Sequence, residues 1–121
     1  MFATVLTCLN RGLEGRLVEV QADVSPGKVV VNLGGLADTG VKEARERVRT
    51  AIRNSGLSFP VRRLTVNLAP VELRKEGGGF DLPVAVAIVL AQSGAKPPPA
   101  TAFIGELNLD GTVRHVDGVL V

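Results

Sequence analysis

The chain lacks several residue types on which binding chemistry often depends. Its 121 residues include no Trp and no Tyr, a single Cys and a single His. One cysteine, Cys8, excludes an internal disulfide and a cysteine metal cluster, and one histidine, His115, leaves a zinc site short of ligands. We expect Cys8 to be a small core residue, as free cysteines usually are, and His115 to lie at the surface. Without Tyr or Trp, any nucleic-acid binding would be directed at the phosphate backbone rather than at stacked bases.

A second absence concerns the most distinctive stretch, KEGGGFDLP at residues 75–83. Its three glycines run directly into an apolar helix, and glycine turns of this kind often present a nucleophile or cradle a phosphate. Yet no Ser, Thr, Cys or Tyr occurs between Thr65 and Ser93. This glycine elbow has the form of an active-site turn without a reactive atom, which favours a binding or assembly module over an enzyme.

Long apolar runs and a basic leader are also missing. The longest apolar run, residues 82–91, is about half of what a bilayer requires. The start of the chain at residues 1–3 lacks the basic residues of a signal peptide. We therefore expect a cytoplasmic protein with no membrane partner. The length is that of one domain. Because the sequence ends in the apolar residues 118–121, we expect that this domain, residues 1–121, is truncated at its C-terminal end.

The sequence does contain a clear pattern of short strands and two helices. Period-two alternation predicts strands over residues 2–9, 16–24 and 28–33, and their short turns predict an antiparallel meander. A helix is predicted from Asp38, whose carboxylate is a suitable N-cap, to Gly56, which suits a left-handed C-cap. Its predicted buried stripe consists of Val41, Ala44, Val48, Ala51 or Ile52, and Ser55.

The second half of the chain adds one strand, one helix and a hairpin. Residues 61–68 are predicted to form the fourth strand. Asp81 can cap a helix that is apolar on every side, so we expect that helix to be covered all round. Strands over residues 102–107 and 112–116 are predicted to form a hairpin with an Asp-Gly pair at its bend. The predicted fold class is α/β (α+β), with antiparallel strands followed by β-α-β units in a mixed sheet with two main helices.

Two further patterns have ordinary structural explanations. Residues 35–42, GLADTGVK, resemble a phosphate-binding P-loop, but that motif needs Lys directly after its second Gly and then Ser or Thr. Here Val41 follows the glycine and Glu43 follows Lys42, so a strand-to-helix turn explains the segment better. Four carboxylates are candidates for a magnesium or acid–base cluster, although capping and turn positions explain most of them: Asp81, Glu106, Asp110 and Asp117.

Basic residues are concentrated in the middle of the chain. Residues 38–75 hold nine basic and four acidic side chains, a net charge of +5, whereas residues 76–121 have a net charge of −3. On the first helix, four basic residues recur at spacings of three and four and form a stripe beside the apolar face. A solvated surface is the ordinary explanation, and the alternatives are contact with DNA phosphates or with an acidic surface of a neighbouring subunit. The candidate contact residues are Lys42, Arg45, Arg49, Arg53, Arg62, Arg63, Arg74 and Lys75.

Three ordered blocks of the sequence resemble a known family. They are VNLGGLADTGVKEARERVRTAIRNSG at residues 31–56, VNLAPVELRKEGGGFDLPVAVAIVLA at 66–91 and FIGELNLDGTVRHVDGVL at 103–120. The resemblance is to the N-terminal domain of the magnesium-chelatase-related YifB/ComM family. It implies that an AAA+ ATPase core with the ATP and magnesium sites follows this domain, which itself has no cofactor. It also implies that the full-length protein is a hexameric DNA helicase that drives branch migration. The partners of this domain would then be its own AAA+ domain, neighbouring subunits and DNA.

The same segment is similar to the proteolytic domain of Lon and to the Lon-like domain of the RadA proteins. This similarity implies a fold like domain two of ribosomal protein S-five, with a left-handed crossover of the kind that parallel sheets normally avoid. In Lon a serine follows Lys-Asp-Gly-Pro and a lysine comes shortly after Gly-Gly-Leu. The matching positions here carry Gly79 and Leu120. Because a serine–lysine dyad needs a hydroxyl and an amine, the resemblance implies no catalytic residues.

The favoured hypothesis is a non-catalytic accessory domain of a ComM-like AAA+ protein that helps to assemble the ring and contacts DNA. One alternative is a Lon-type peptidase domain with another nucleophile, for which Thr65 and Ser93 are the nearest hydroxyls to the elbow on either side. The other alternative is a purely structural ring-packing domain without a ligand.

Overall fold

A computed structural model describes residues 1–11, 14–34, 41–69 and 80–114. Within these ranges, four strands form one sheet, two helices pack against it, and a small two-stranded hairpin follows. The predicted mixed sheet with two main helices is therefore confirmed. The elements are β1 (Phe2–Arg11), β2 (Glu14–Ser25), β3 (Val30–Gly34), α1 (Val41–Asn54), β4 (Arg63–Ala69), α2 (Asp81–Ser93), β5 (Glu106–Leu107) and β6 (Val113–Arg114).

The sheet has the strand order β1-β2-β4-β3. β1 pairs antiparallel with β2, and β2 pairs antiparallel with β4, whereas β3 pairs parallel with β4. The predicted three-stranded meander is therefore wrong at β3. The chain leaves β3, passes through α1 and returns as β4, which lies between β2 and β3. This connection is the predicted β-α-β unit, since parallel neighbours need a crossover.

One face of the sheet forms the core because alternate side chains of each strand point the same way. On β2 these are Val18, Val20, Ala22 and Val24, all buried. α2 lies over β1 and β2, and α1 packs against α2 and β3, so both helices join one continuous hydrophobic cluster with the sheet. The opposite face carries exposed side chains such as Leu17, which is 63% exposed.

That open face also holds the single cysteine. Cys8 is half-buried and lies opposite Leu17 in the β1–β2 pair. The prediction of a core cysteine is wrong, because the alternation of β1 turns Val5 and Thr7 inward and their neighbour outward.

α1 buries most of the apolar stripe that its spacing predicts, with two exceptions, of which the first is Val41, only half-buried. Ala44, Val48, Ala51 and Ile52 are buried. Ser55 is exposed and lies after the last helical residue, where its hydroxyl donates to the carbonyl oxygen of Ala51 at 2.8 Å. The predicted left-handed glycine is confirmed, since Gly56 has φ +82°. The predicted cap Asp38 lies outside the described residues.

α2 differs from its prediction at both its start and its surface. Its N-cap is Phe80, and no side chain of the described residues caps it, so the prediction of Asp81 as the N-cap is wrong. The carboxylate of Asp81 is instead turned into the protein, where it has other partners. The helix is not covered all round either, because Leu82, Val86 and Val89 are only half-buried.

The predicted hairpin is confirmed in a shorter form as β5 and β6, with Glu106 opposite Arg114. The bend contains Gly111 at φ +94°, a backbone conformation that L side chains rarely adopt. Ala102, predicted to begin a strand, makes a single parallel bridge to Leu6 instead. Among the described residues, no helix combines the length and the apolar character needed to cross a membrane. His115 lies outside them.

Candidate nucleic-acid interface

The basic residues of α1 do not form one uniform stripe. Lys42 is exposed at the beginning of the helix, about 16 Å along the axis from Arg53 at its end. Arg45 is half-buried, and its guanidinium donates to the carbonyl oxygen of Val31 on β3 at 3.3 Å. Arg45 therefore serves in part to hold α1 against the edge of the sheet.

The two later arginines of α1 share an aromatic platform. The guanidinium carbons of Arg49 and Arg53 lie 5.4 and 6.0 Å from the centroid of the Phe59 ring. Arg49 also lies 3.8 Å from the carboxylate of Glu46 in an exposed ion pair. A cation over an aromatic face is attracted by the ring quadrupole, so Phe59 restricts both side chains. No local pattern in the sequence predicts this cluster, because the ring follows the helix by five residues.

Two further candidate arginines lie three and four residues after Phe59. Arg62 lies just before β4 and Arg63 is its first residue, and both are exposed. Arg63 lies opposite Ser25 of β2 and Val30 of β3. In the turn between these strands, a Cβ built on Gly27 would lie 3.9 Å from the Cβ and Cδ of Arg63.

This proximity brings the next residue, Lys28, to the same end of the sheet. Lys28 is exposed, and sequence reasoning did not include it among the candidate residues. We call Lys28, Arg53, Arg62 and Arg63 the basic end. Arg53, Arg62 and Arg63 are the predicted contact residues at this end, where Arg53 lies on α1 and the alternation of β4 puts Arg63 on the open face with Thr65. Arg45 and Arg49 are partly engaged in packing, and Lys42 lies at the other end of α1. Arg74 and Lys75 lie outside the described residues.

A further arginine, Arg47, was missed because its partner is distant in sequence. Its Nε donates to Oδ2 of Asp81 at 2.8 Å, and its Nη2 donates to Oδ1 at 3.0 Å. The backbone N–H of Leu107 donates to the same Oδ2 at 3.3 Å. Asp81 is 2% exposed and Arg47 is 31% exposed. This pair joins α1, the first turn of α2 and β5 around one buried carboxylate.

The electrostatics of the pair follow from this geometry. The hydrogen bond to Asp81 raises the pKa of Arg47 above its ordinary value, and the negative charges of Asp81, Glu106 and Glu43 act in the same direction against desolvation. A two-pronged arginine–carboxylate contact is both strong and directional. The sequence did contain one signal for it, since a lone carboxylate at the start of an apolar helix needs a partner if it is buried.

The other carboxylates take separate local roles. Asp110 accepts from the hydroxyl and the backbone N–H of Thr112 at 2.7 and 2.9 Å. Glu106 lies 3.9 Å from Arg114. Asp117 lies outside the described residues, and within them no group of three or more His, Cys, Asp or Glu side chains is close enough together to hold a metal ion.

The two hydroxyls considered as alternative nucleophiles lie away from the start of α2. Thr65 is exposed on the open face of the sheet, opposite the helices. Ser93 ends α2, about 18 Å along the axis from Asp81. The two positions that correspond to the Lon dyad, Gly79 and Leu120, lie outside the described residues.

Comparison with known proteins identifies the family. The model of the family "subunit ChlI of Mg-chelatase" matches residues 20–121, most of the chain. The chain belongs to this Mg-chelatase subunit family. Proteins named YifB and ComM align with nearly the whole length of the chain, so the predicted resemblance to the YifB/ComM group is confirmed.

The relatives are considerably longer than this chain. The protein YifB of Salmonella typhimurium is 43% identical over 120 residues, which cover 98% of this chain and 24% of that protein. The competence protein ComM of Haemophilus influenzae is 42% identical over 120 residues, with the same two shares. A protein of Mycobacterium tuberculosis is 46% identical over 114 residues, covering 91% of this chain and 22% of its own length. The chain thus spans less than a quarter of these relatives.

Proposed function

We propose that this member of the Mg-chelatase subunit family is the non-catalytic accessory domain of a cytoplasmic, ComM-like AAA+ ATPase, and that its basic end contacts the phosphate backbone of DNA. The full-length protein would bind ATP and magnesium in its ATPase core and act as a hexamer. This segment is not the nucleotide site in the proposal, because its P-loop-like residues lack the required Lys after the second glycine, where Val41 stands.

The DNA part of the proposal is supported by the exposed Lys28, Arg62 and Arg63 around the start of β4 and by the exposed Arg53 near the end of α1. All four are exposed, so their charges remain available to a polyanion. The Phe59 ring lies 6.0 Å from the guanidinium carbon of Arg53, and this attraction would reduce the entropy that the side chain loses on binding. The name of the competence protein among the relatives is consistent with a role in DNA handling.

The test is fluorescence anisotropy with a labelled duplex of arbitrary sequence over a series of salt concentrations. Binding to phosphates releases counterions, so the logarithm of the association constant should fall linearly with the logarithm of salt. The triple variant Arg53→Ala, Arg62→Ala and Arg63→Ala should make this slope less steep by about 0.9 for each phosphate contact removed. We choose these three because they are exposed, whereas Arg45 and Arg49 are half-buried and their removal could also disturb the packing of α1.

The matched control carries the same change of net charge elsewhere. Arg16, Lys96 and Arg114 are exposed and lie outside the basic end, and their replacement by Ala should leave the slope close to that of the unchanged protein. Equal slopes for the two triple variants, or binding that does not respond to salt, would refute the DNA contact. If the chain instead shows a concentration-dependent mass by sedimentation and no affinity for DNA, the purely structural ring-packing role is correct.

A peptidase role makes a different prediction. A fluorescent casein assay on the purified chain should show no turnover, since Thr65 and Ser93 are both remote from the start of α2. Sustained hydrolysis that copurifies with the chain and is lost on substitution of either residue would establish the alternative function.

A further inference from the structure

An open apolar groove runs between the two helices and is not used by the proposed DNA contact. Its volume is about 220 Å³. α2 contributes Leu82, Val86 and Val89, which lie on one helix face at spacings of four and three. Ala51 and Ile52 of α1 form the opposite wall. Within the ranges that the structure describes, the groove is open to solvent and its exposed lining is almost entirely apolar.

We propose that this groove binds the apolar face of an amphipathic helix supplied, in the full-length protein, by the polypeptide outside residues 1–121. This groove does not include the residues of the basic end, and a helix bound there would join the domain to the rest of its own chain.

The lack of polar groups decides the kind of segment that fits. An extended strand in the groove would leave backbone N–H and C=O groups without partners, and each buried unpaired group is costly. A helix satisfies its backbone internally and presents side chains at the same three- and four-residue spacings as α2. A polar ligand would find almost nothing to orient it, because the exposed lining is nearly all hydrocarbon.

The length of the relatives and the path of the chain favour a segment of the same polypeptide. More than three quarters of each relative lies outside the aligned region. Gly111 of the hairpin lines the groove, and β6, the last described element, begins two residues later at Val113. A tethered helix has an effective concentration of the order of millimolar, so a modest apolar contact is sufficient for stable docking.

The experiment measures the accessibility of one engineered thiol in two lengths of the protein. In a Cys8→Ser background, Val86→Cys places the thiol in the groove. The matched control is Val29→Cys, the same substitution at an exposed position between β2 and β3. Each is made in the 121-residue chain and in a chain extended to the length of the relatives. The rate of reaction with a thiol reagent is then followed at several protein concentrations, after circular dichroism has verified the fold.

We expect the Val86→Cys thiol to react at least tenfold more slowly in the long chain at every concentration, while the Val29→Cys thiol reacts equally in both. Equal rates for Val86→Cys in the two lengths would overturn the proposal. Slow reaction of the Val86→Cys thiol in the short chain would also overturn it. If that slow rate depends on protein concentration, a second copy fills the groove, and if it does not, the 121 residues fill the groove themselves. Leu90→Cys, also in the lining, is the second reporter if Val86→Cys does not fold.

Discussion

Arg47 and Asp81 form a two-pronged ion pair across the helix interface, with Nε–Oδ2 and Nη2–Oδ1 distances of 2.8 and 3.0 Å. The carboxylate is buried, so removal of the arginine leaves a charge without its partner. Breaking a buried pair in this way costs about 3 to 5 kcal/mol. Since Arg47 keeps 31% of its surface exposed, we expect the variant Arg47→Met to lose about 3 kcal/mol, at the lower end of that range, in urea unfolding.

Two controls separate the loss of the pair from the loss of a charge. Arg114→Met removes an exposed arginine 3.9 Å from Glu106 and should cost less than about 1 kcal/mol. Adding Asp81→Asn to Arg47→Met removes the unpaired charge and should restore part of the stability. A loss for Arg47→Met no larger than that for Arg114→Met would show that the pair does not hold the helices together.

Thr7 carries a buried hydroxyl that finds no hydrogen-bond partner among the described residues. A buried polar group in this condition costs about 1 to 3 kcal/mol. Thr7→Val keeps the shape and removes the hydroxyl, so we expect it to raise the free energy of unfolding by about 1 kcal/mol, measured in urea. Thr4→Val on the open face is the control and should change the stability little, because its hydroxyl is partly exposed. A destabilised Thr7→Val variant would show that the hydroxyl has a partner.

Gly105 permits a close contact between the hairpin and the first turn of α2. A Cβ at this position would lie 2.7 Å from Cγ1 of Val113 and 3.1 Å from Cδ2 of Leu82. We therefore expect Gly105→Ala to destabilise the fold by about 1 to 3 kcal/mol through overpacking. The added substitution Val113→Ala removes the nearer obstacle and should recover part of the loss. Urea unfolding of the single and double variants measures this, and full tolerance of the single variant would contradict the contact.

Asp110 provides a prediction for acid conditions. The hydroxyl of Thr112, and then its backbone N–H, donate to the carboxylate and lower the pKa of Asp110. Because the folded-state pKa is lowered, the contribution of Asp110 to stability is present above its unfolded pKa, about 3.9. That contribution is lost as the pH falls through the folded-state pKa. Thr112→Val should raise the pKa of Asp110 in a carboxyl NMR titration, whereas Thr101→Val, whose hydroxyl donates to the carbonyl oxygen of Pro99 instead, should leave it unchanged.

Sequence periodicity predicted the elements well because a helix or strand that buries one face carries apolar residues at the spacing of that face. The buried residues of α1 and the alternation of β2 follow from local spacing. The order of the strands across the sheet does not follow from local spacing. The short turn between β2 and β3 suggests that these two strands are neighbours, but β4, which follows the α1 crossover, lies between them. Cys8 shows the same limit on a smaller scale: an apolar run such as that of β1 does not reveal which alternate residues point inward.

The candidate site was predictable in part for a related reason. Charge counting located the basic segment, and three of its residues, Arg53, Arg62 and Arg63, share one end of the sheet. Lys28 was missed because it joins them through the parallel pairing of β3 with β4, which sequence alone did not suggest. The sequence predicts a cap at Asp81 because that role is local, whereas its actual partner, Arg47, lies 34 residues earlier.

The position of β3 has a consequence for synthesis on the ribosome. β3 ends at Gly34, but β4, its neighbour in the described sheet, is complete only at Ala69. At roughly 5 to 20 residues per second, the end of β4 therefore emerges from the ribosome about 2 to 7 seconds after the end of β3. During this interval the β1–β2 ribbon can already pair, while the nascent β3 segment lacks its parallel neighbour and is open to capture by chaperones or to pairing with another newly made chain.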